Sequence, residues 1–350
     1  MNKKNEPVVE EEFTTRKVNT LSKSAKSSMV TRILSAIGLV LVVVPSVMLG
    51  DWIYFGLMTI SIGIACWEIL GCIKKRTFLI FMIYFLFILA ITYWPIFKTL
   101  AGDLDISSGR IDKYYNSIYL PIFMIAAGAF FLFFLTVNYK DFTIQDATFL
   151  MTMGILIGLG FQCLMYLRFI TNSAFGIVNE KSFQYSIDNT IKASLLILFV
   201  FLATVLTDVG AYFVGVFFGK HKMNERISPK KTWEGFFGGI AVSFTLSSAV
   251  GIVMAAINFP ILPFFDLKHF YLIFVLSFLI PLFATLGDFV FSSIKRYWGI
   301  KDYGKLIPGH GGVLDRLDSI FFAVIISSIF VFMLYSLTET GDFNWTQFLV

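Results

Sequence analysis

The chain has 350 residues, 57% of them hydrophobic and only 15% charged, with 28 Lys and Arg against 23 Asp and Glu. Its mean hydropathy is +0.78. This excludes a water-soluble globular protein, which needs more polar surface. The apolar runs, about 20 residues each, match the ~30 Å hydrocarbon core of a bilayer. They are continuous rather than alternating, which excludes a transmembrane β-barrel. The expected fold class is an all-α polytopic membrane protein with about nine transmembrane helices.

Residues 1–28 mix charge with Ser, Thr and Asn and are expected to form a disordered cytoplasmic tail. The apolar run that follows starts too late and is too long for a signal peptide. Nine hydrophobic segments are expected at 31–50, 52–72, 77–97, 118–138, 148–170, 191–218, 236–258, 270–290 and 318–337. Glu68 lies near the end of the second. It is expected to reach the membrane interface, with a packing or substrate-path role as the alternative. Cys66, Cys72 and Cys163 sit in or beside apolar runs, odd in number and without metal-ligand spacing, and read as packing residues. Residues 101–117 read as a solvated external loop.

Orientation follows from the charge bias. With the N-terminus in the cytoplasm, the tail, 73–76, 139–147, 219–235 and 291–317 lie inside. They hold 21 of the 28 Lys and Arg. Residues 29–190 then form an N-terminal group of helices. Residues 191–340 form a C-terminal group whose loops, 219–235 and 291–317, face the cytoplasm; the motifs that follow make it the expected catalytic region.

The sixth segment ends in "TDVGAYFVGVFFGKHKMNERISPKKTWEG". Asp208 lies about 11 residues before the helix end, roughly 16 Å deep at 1.5 Å per residue. A carboxylate at that depth is a functional candidate, or else a polar partner of Thr207 or Tyr212. Tyr212, Gly215 and Gly219 share its face, which suggests a close helix contact or a groove. Ser228, Lys230, Lys231 and Thr232 precede the seventh segment. Hydroxyl and ammonium donors at a helix entry suit a phosphate, and a helix N-cap with topological charge is the alternative reading.

After the eighth segment the chain reads "GDFVFSSIKRYWGIKDYGKLIPGHGGVLDRLDS". Helical spacing puts Asp288, Ser292, Lys295 and Arg296 on one stripe. Lys301, Asp302 and Lys305 follow, then Pro308-Gly309-His310-Gly311-Gly312, which cannot be regular helix. Helix is expected to resume near Leu314, with Asp315 and Asp318 on its first turn. Taken singly, these residues fit a loop that obeys the topology rules. As a set they suit a metal–phosphate site: Lys, Arg and backbone N–H groups hold phosphate oxygens, and carboxylates hold a cation that bridges to them.

Residues 292–318 resemble the signature of the CDP-diacylglycerol synthase (phosphatidate cytidylyltransferase) family. The pattern is carried by Ser292, Lys295, Arg296, Lys301, Asp302, Pro308, His310, Gly311, Gly312, Asp315, Arg316 and Asp318. "DVGAY" and "SPKKTWEG" also resemble that family. The resemblance implies transfer of CMP from CTP to phosphatidic acid with release of pyrophosphate, in a homodimer. The "LDRLDS" ending points to a bacterial cell membrane, with an organelle membrane as the alternative. The resemblance also implies two Mg²⁺ sites, one able to take a monovalent cation, with Asp288 and Asp315 as metal ligands. Around these, Lys295, Arg296, Lys301, His310, Arg316 and Asp318 are expected to be catalytic. Asp208, Tyr212, Ser228, Lys230, Lys231, Thr232, Ser292, Asp302, Gly311 and Gly312 are expected to bind substrate. No nucleic-acid partner is expected. A CTP-dependent polyprenol or phytol kinase and a transporter of an anionic substrate are the alternatives. The intact signature argues against the first. The gathering of charge at one membrane face, rather than the midplane, argues against the second.

Overall fold

The computed structural model describes residues 23–103, 119–174, 187–262 and 269–339. Among these, nine helices follow one another. They are α1 (Lys23–Leu49), α2 (Asp51–Cys72), α3 (Phe78–Asp103), α4 (Tyr119–Asn138), α5 (Ile144–Ala174), α6 (Ile187–Phe218), α7 (Trp233–Ala256), α8 (Phe270–Tyr297) and α9 (Leu314–Glu339). Seven are long and apolar enough to cross a membrane; the described apolar parts of α3 and α4, Phe78–Tyr93 and Ile122–Asn138, are shorter. All nine expected segments are therefore present as helices. α1 begins inside the stretch expected to be a disordered tail, whose first 22 residues lie outside the described ones, as does most of the external loop expected at 101–117.

One element departs from an all-helical chain. Within the loop 219–235, β1 (Lys222–Asn224) pairs antiparallel with β2 (Ser228–Thr232). The Asn224 side chain drives the turn, its Oδ1 accepting from the Arg226 and Ile227 N–H groups at 3.1 and 3.2 Å. Helical periodicity does not report so short a ribbon. Its strands of three and five residues carry Pro and Lys, which suit an unpaired edge.

Successive helices α6, α7, α8 and α9 pack against one another. α9 also packs on α5, which carries α3 and α4. The α6–α7 contact is the tightest in kind, because glycines let the backbones meet. A Cβ on Gly235 would lie 2.8 Å from the Ala211 carbonyl oxygen, and one on Gly239 2.8 Å from that of Thr207. This is the close helix contact suggested by the small residues near Asp208. Elsewhere large side chains interlock; Phe161 of α5 meets Phe321 of α9 edge-on at 5.2 Å between ring centres. Cys66 and Cys72 are buried, Cys163 is half-buried, and all three are free thiols.

Residues of α1, α2, α5 and α8 meet the loops 219–235 and 291–317 at one end of the bundle, where Arg296 joins the two loops. Ser35 of α1 reaches His310, and Glu68 of α2 reaches Leu314. Phe149 of α5 packs on Trp298, 4.8 Å between ring centres, and Lys231 of β2 reaches Asp288 of α8.

Candidate active site

Four carboxylates converge at this end, and lysines hold three of them. Lys231 Nζ donates to Asp288 Oδ2 and lies 4.2 Å from the Phe289 ring centre. Ser292, one turn on, donates to Asp288 Oδ1 at 3.2 Å. Lys295 is buried and bridges two acids of α9, donating to Asp315 Oδ1 at 3.0 Å and Asp318 Oδ2 at 3.3 Å. The fourth, Asp208, makes no hydrogen bond or ion pair among the described residues, yet lies within electrostatic range of Asp288, Lys231 and Arg316. Asp318 is within range of Asp288 as well. The alternative pairing for Asp208 is absent: the Thr207 hydroxyl donates to the Ala203 carbonyl, and Tyr212 is exposed against Phe213.

Asp288 and Asp315 differ in kind. The Asp288 side chain is 28% exposed. That of Asp315 is 2% exposed, and its Oδ2 accepts from the N–H groups of Tyr303 at 2.8 Å, Gly312 at 3.0 Å and Gly304 at 3.5 Å. Asp315 thus ties the two ends of the loop between α8 and α9 together, and only Oδ1 faces a side chain. Among the described residues, no three His, Cys, Asp or Glu side chains form a metal-holding group by themselves. The donor set nevertheless fits Mg²⁺. That ion commonly takes one or two carboxylates and completes its octahedron with water and substrate phosphates, and the unpartnered Asp208 next to Asp288 leaves negative charge to be balanced.

The loop is built around backbone freedom. Gly309 and Gly311 adopt φ of 76° and 87°, the left-handed region that glycine enters without strain. Ile307 and Gly311 then pair across the turn, the Ile307 N–H donating to the Gly311 carbonyl at 2.8 Å. Glu68, buried on α2, reaches across to the start of α9. Its Oε1 accepts from the Val313 N–H at 2.9 Å and its Oε2 from the Leu314 N–H at 2.8 Å. A Cβ on Gly304 or Gly312 would overlap this carboxylate. Glu68 is therefore buried in a packing role, the alternative noted for it. It caps α9, where an anion is favoured by the unpaired N–H groups and the helix dipole. Glu68→Ala is expected to cost about 3 kcal/mol, since bonds to a charged acceptor are worth roughly 1.5–3 kcal/mol each. Thermal unfolding in detergent checks this. Glu68→Gln is expected to recover about half, because its amide presents one acceptor and a donor to two N–H groups.

His310 sits on the outer side of the loop, its Nδ1 2.7 Å from the Ser35 hydroxyl. Partial burial, then the charges of Arg316 and Arg32, hold its pKa below the ordinary 6.5. The imidazole is neutral at neutral pH. A His with a lowered folded-state pKa costs stability as pH falls through its unfolded value. The thermal midpoint of the wild type is therefore expected to drop relative to His310→Gln below about pH 6.5 and to match it above. Burial holds the Tyr303 phenol far above its usual range, so it serves only as a donor, to the Phe291 carbonyl at 3.2 Å.

The structure brings Asp208, Asp288, Asp315, Asp318, Ser292, Lys231, Lys295 and Arg316 together. Others serve elsewhere. Arg296 turns away from the acids and clamps loops, donating to the carbonyls of Ile227 at 3.2 Å and Ile300 at 3.0 Å. Thr232 caps α7, its hydroxyl accepting from the Gly235 N–H at 3.1 Å, which is the alternative noted for it. Ser228 and Lys230 lie on β2, Lys230 exposed; Lys301 and Asp302 are exposed beyond α8; and Gly311 and Gly312 shape the loop. Sequence reasoning missed Ser35 and the capping role of Glu68. Glu68 carried a signal, as an acid in an apolar run, but its partners lie 245 and 246 residues away.

Comparisons with known proteins follow the same line. The model of the cytidylyltransferase family matches residues 30–334. A phosphatidate cytidylyltransferase of Staphylococcus epidermidis is 36% identical over 207 residues, 59% of this chain and 67% of the relative. One from Staphylococcus saprophyticus is 34% identical over 211 residues, 60% of this chain and 69% of the relative. One from Mycobacterium leprae is 42% identical over 126 residues, 36% and 37% of the two chains.

Proposed function

This chain belongs to the cytidylyltransferase family, and from that premise we propose that it is a phosphatidate cytidylyltransferase, converting CTP and phosphatidic acid to CDP-diacylglycerol and pyrophosphate. The observation that carries the reading is the convergence of Asp208, Asp288, Asp315 and Asp318 with Lys231, Lys295 and Arg316 at one end of the bundle. Two polyanions can meet there. An oxygen of the lipid phosphate forms a bond to the α-phosphorus of CTP; the bond from that phosphorus to the β-phosphate oxygen breaks; pyrophosphate leaves with the electron pair. The nucleophile is already an oxyanion, so no serine, cysteine or general base is required.

Asp288 and Asp315 would hold Mg²⁺, which supplies charge neutralisation and polarisation of the phosphates when bound. Asp208, unpartnered beside Asp288, adds negative charge to the same space. Lys295 keeps Asp315 and Asp318 at fixed separation, so the carboxylates need not reorganise during reaction. Lys231 and the exposed Arg316 are placed to meet phosphates as they enter, and Lys231 releases Asp288 as it does so. Asp318 orients Lys295. We assign the site to the cytoplasmic face, where CTP is found, and the active species to a homodimer, which cross-linking in native membranes would test.

The decisive assay uses purified protein in detergent with Mg²⁺, phosphatidate and CTP radiolabelled at the α-phosphorus. Label is expected in a chloroform-soluble lipid, with one pyrophosphate released per lipid. CDP formed from CTP in the presence of a polyprenol, with no labelled lipid, would move the assignment to a kinase.

A further inference from the structure

A cavity of about 930 Å³ lies between α2, the start of α3 and the loop after α8. It is separate from the space between Asp208 and Asp288. One wall is apolar, formed by Ile64, Trp67 and Phe81, and the rim carries Arg76, Lys301 and Lys305. The three cations are exposed and form no salt bridge among the described residues. The Arg76 guanidinium lies over the Trp67 ring, 4.8 Å from its centre. The two acids on the lining offset part of this charge, Glu68 from within electrostatic range of Arg76, and leave the three cations in excess by one. Glu68 is engaged by the first N–H groups of α9, and Asp302 is exposed and makes no ion pair.

This combination selects a class of ligand. A soluble nucleotide would use the cations but leave the aliphatic and aromatic wall wet. A neutral lipid would cover the wall but leave the cations unpaired. A phosphate joined to acyl chains satisfies both, and the cavity volume is of the size that small-ligand sites have. Cations at a membrane surface attract anionic headgroups while their stems and the neighbouring aromatic rings lie against the chains.

We propose that this cavity is a binding site for an anionic diacyl phospholipid, its phosphate held by Arg76, Lys301 and Lys305 and a chain laid over Ile64, Trp67 and Phe81. The site shares a wall with the catalytic loop. Gly304 lines the cavity while its N–H and that of Tyr303 bond to Asp315, and the lining Glu68 holds the start of α9. A bound lipid thus sits directly behind the loop that positions Asp315. The occupant is either phosphatidate awaiting reaction, which rests on the proposed activity, or a membrane phospholipid that does not react.

Trp67 provides a reporter. The full chain would be reconstituted with phosphatidate, phosphatidylglycerol or phosphatidylcholine bearing brominated acyl chains, and the quenching of Trp67 taken as the difference between wild type and Trp67→Phe. Wild type is expected to prefer brominated anionic lipid over brominated phosphatidylcholine by about tenfold, and Arg76→Gln/Lys305→Gln to lose that preference, as removal of two interfacial cations implies. Lys305→Gln alone, at an exposed position, is expected to lose part of it without loss of thermal stability. Preference for phosphatidate over phosphatidylglycerol, with a raised KM for phosphatidate and an unchanged KM for CTP in the double variant, identifies the substrate; equal preference identifies a structural lipid. Equal quenching by anionic and zwitterionic lipid, or a preference that survives the double variant, overturns the proposal. Quenching needs no turnover, so a failed activity assay would count against the proposed function and not against this site.

Discussion

Asp288→Asn is expected to lower kcat by about 10³-fold or more while leaving the thermal midpoint close to wild type. The scale is that of removing preorganised charge from a site where it acts on developing charge. Stability is spared because the Asp288 side chain is 28% exposed and its partners are two side chains, Lys231 and Ser292, either of which can turn to water. An exposed or half-exposed ion pair of this kind contributes little to folding. Steady-state transfer of label from CTP to lipid, beside a thermal melt of the same preparation, measures both. Activity within tenfold of wild type in a folded variant would sink the assignment of Asp288 to the metal. The wild type is also expected to lose activity on chelation and regain it with added Mg²⁺, and Asp288→Asn to need more Mg²⁺ for any residual rate.

Asp315→Asn is expected to lose activity to a similar extent, and stability with it. Here the carboxylate is nearly inaccessible and takes three backbone N–H groups and the Lys295 ammonium. Asparagine offers one oxygen and turns a donor toward other donors. Breaking a buried pair by removing one partner costs about 3–5 kcal/mol when the remaining charge is left uncompensated; Lys295 keeps Asp318 as a partner, so the cost is expected at the lower end of that range. The triple variant Asp315→Asn/Lys295→Met/Asp318→Asn separates the two contributions. It removes the ammonium together with its other partner and so strands no charge, and it is expected to recover part of the lost thermal stability and none of the activity. Recovery of turnover in the triple variant would show that Asp315 acts only as a loop tie.

The pair explains how a cluster of like charges persists at a membrane boundary. Lys231 and Lys295 hold three acids in place. Glu68 occupies the first N–H groups of α9. A phosphate that binds near Gly311 and Gly312 therefore meets side-chain cations rather than the helix terminus, contrary to what a glycine-rich loop before a helix suggests on its own.

Much was legible before any coordinates. Hydropathy alone located the nine helices, because each apolar run must satisfy its backbone internally and must match the bilayer. The charge bias grouped the loops 219–235 and 291–317 on one side, and they do meet, Arg296 reaching the Ile227 carbonyl. The resemblance carried by residues 292–318 led to the family, since those residue types at those spacings are local properties of the chain. What the linear order could not show was pairing between distant residues. Ser35 with His310 and Glu68 with Leu314 are separated by 275 and 246 positions. Whether Lys295 or Arg296 turns inward depends on where α9 and β2 lie, and only packing decided that Lys295 bridges two acids while Arg296 clamps a loop. The sequence determined which groups are present and which apolar runs carry them. The tertiary structure decided which of them neutralise one another and which, like Asp208, Arg76 and Lys305, form no ion pair among the described residues, because side-chain pairing is set by distances between helices that no single helix encodes.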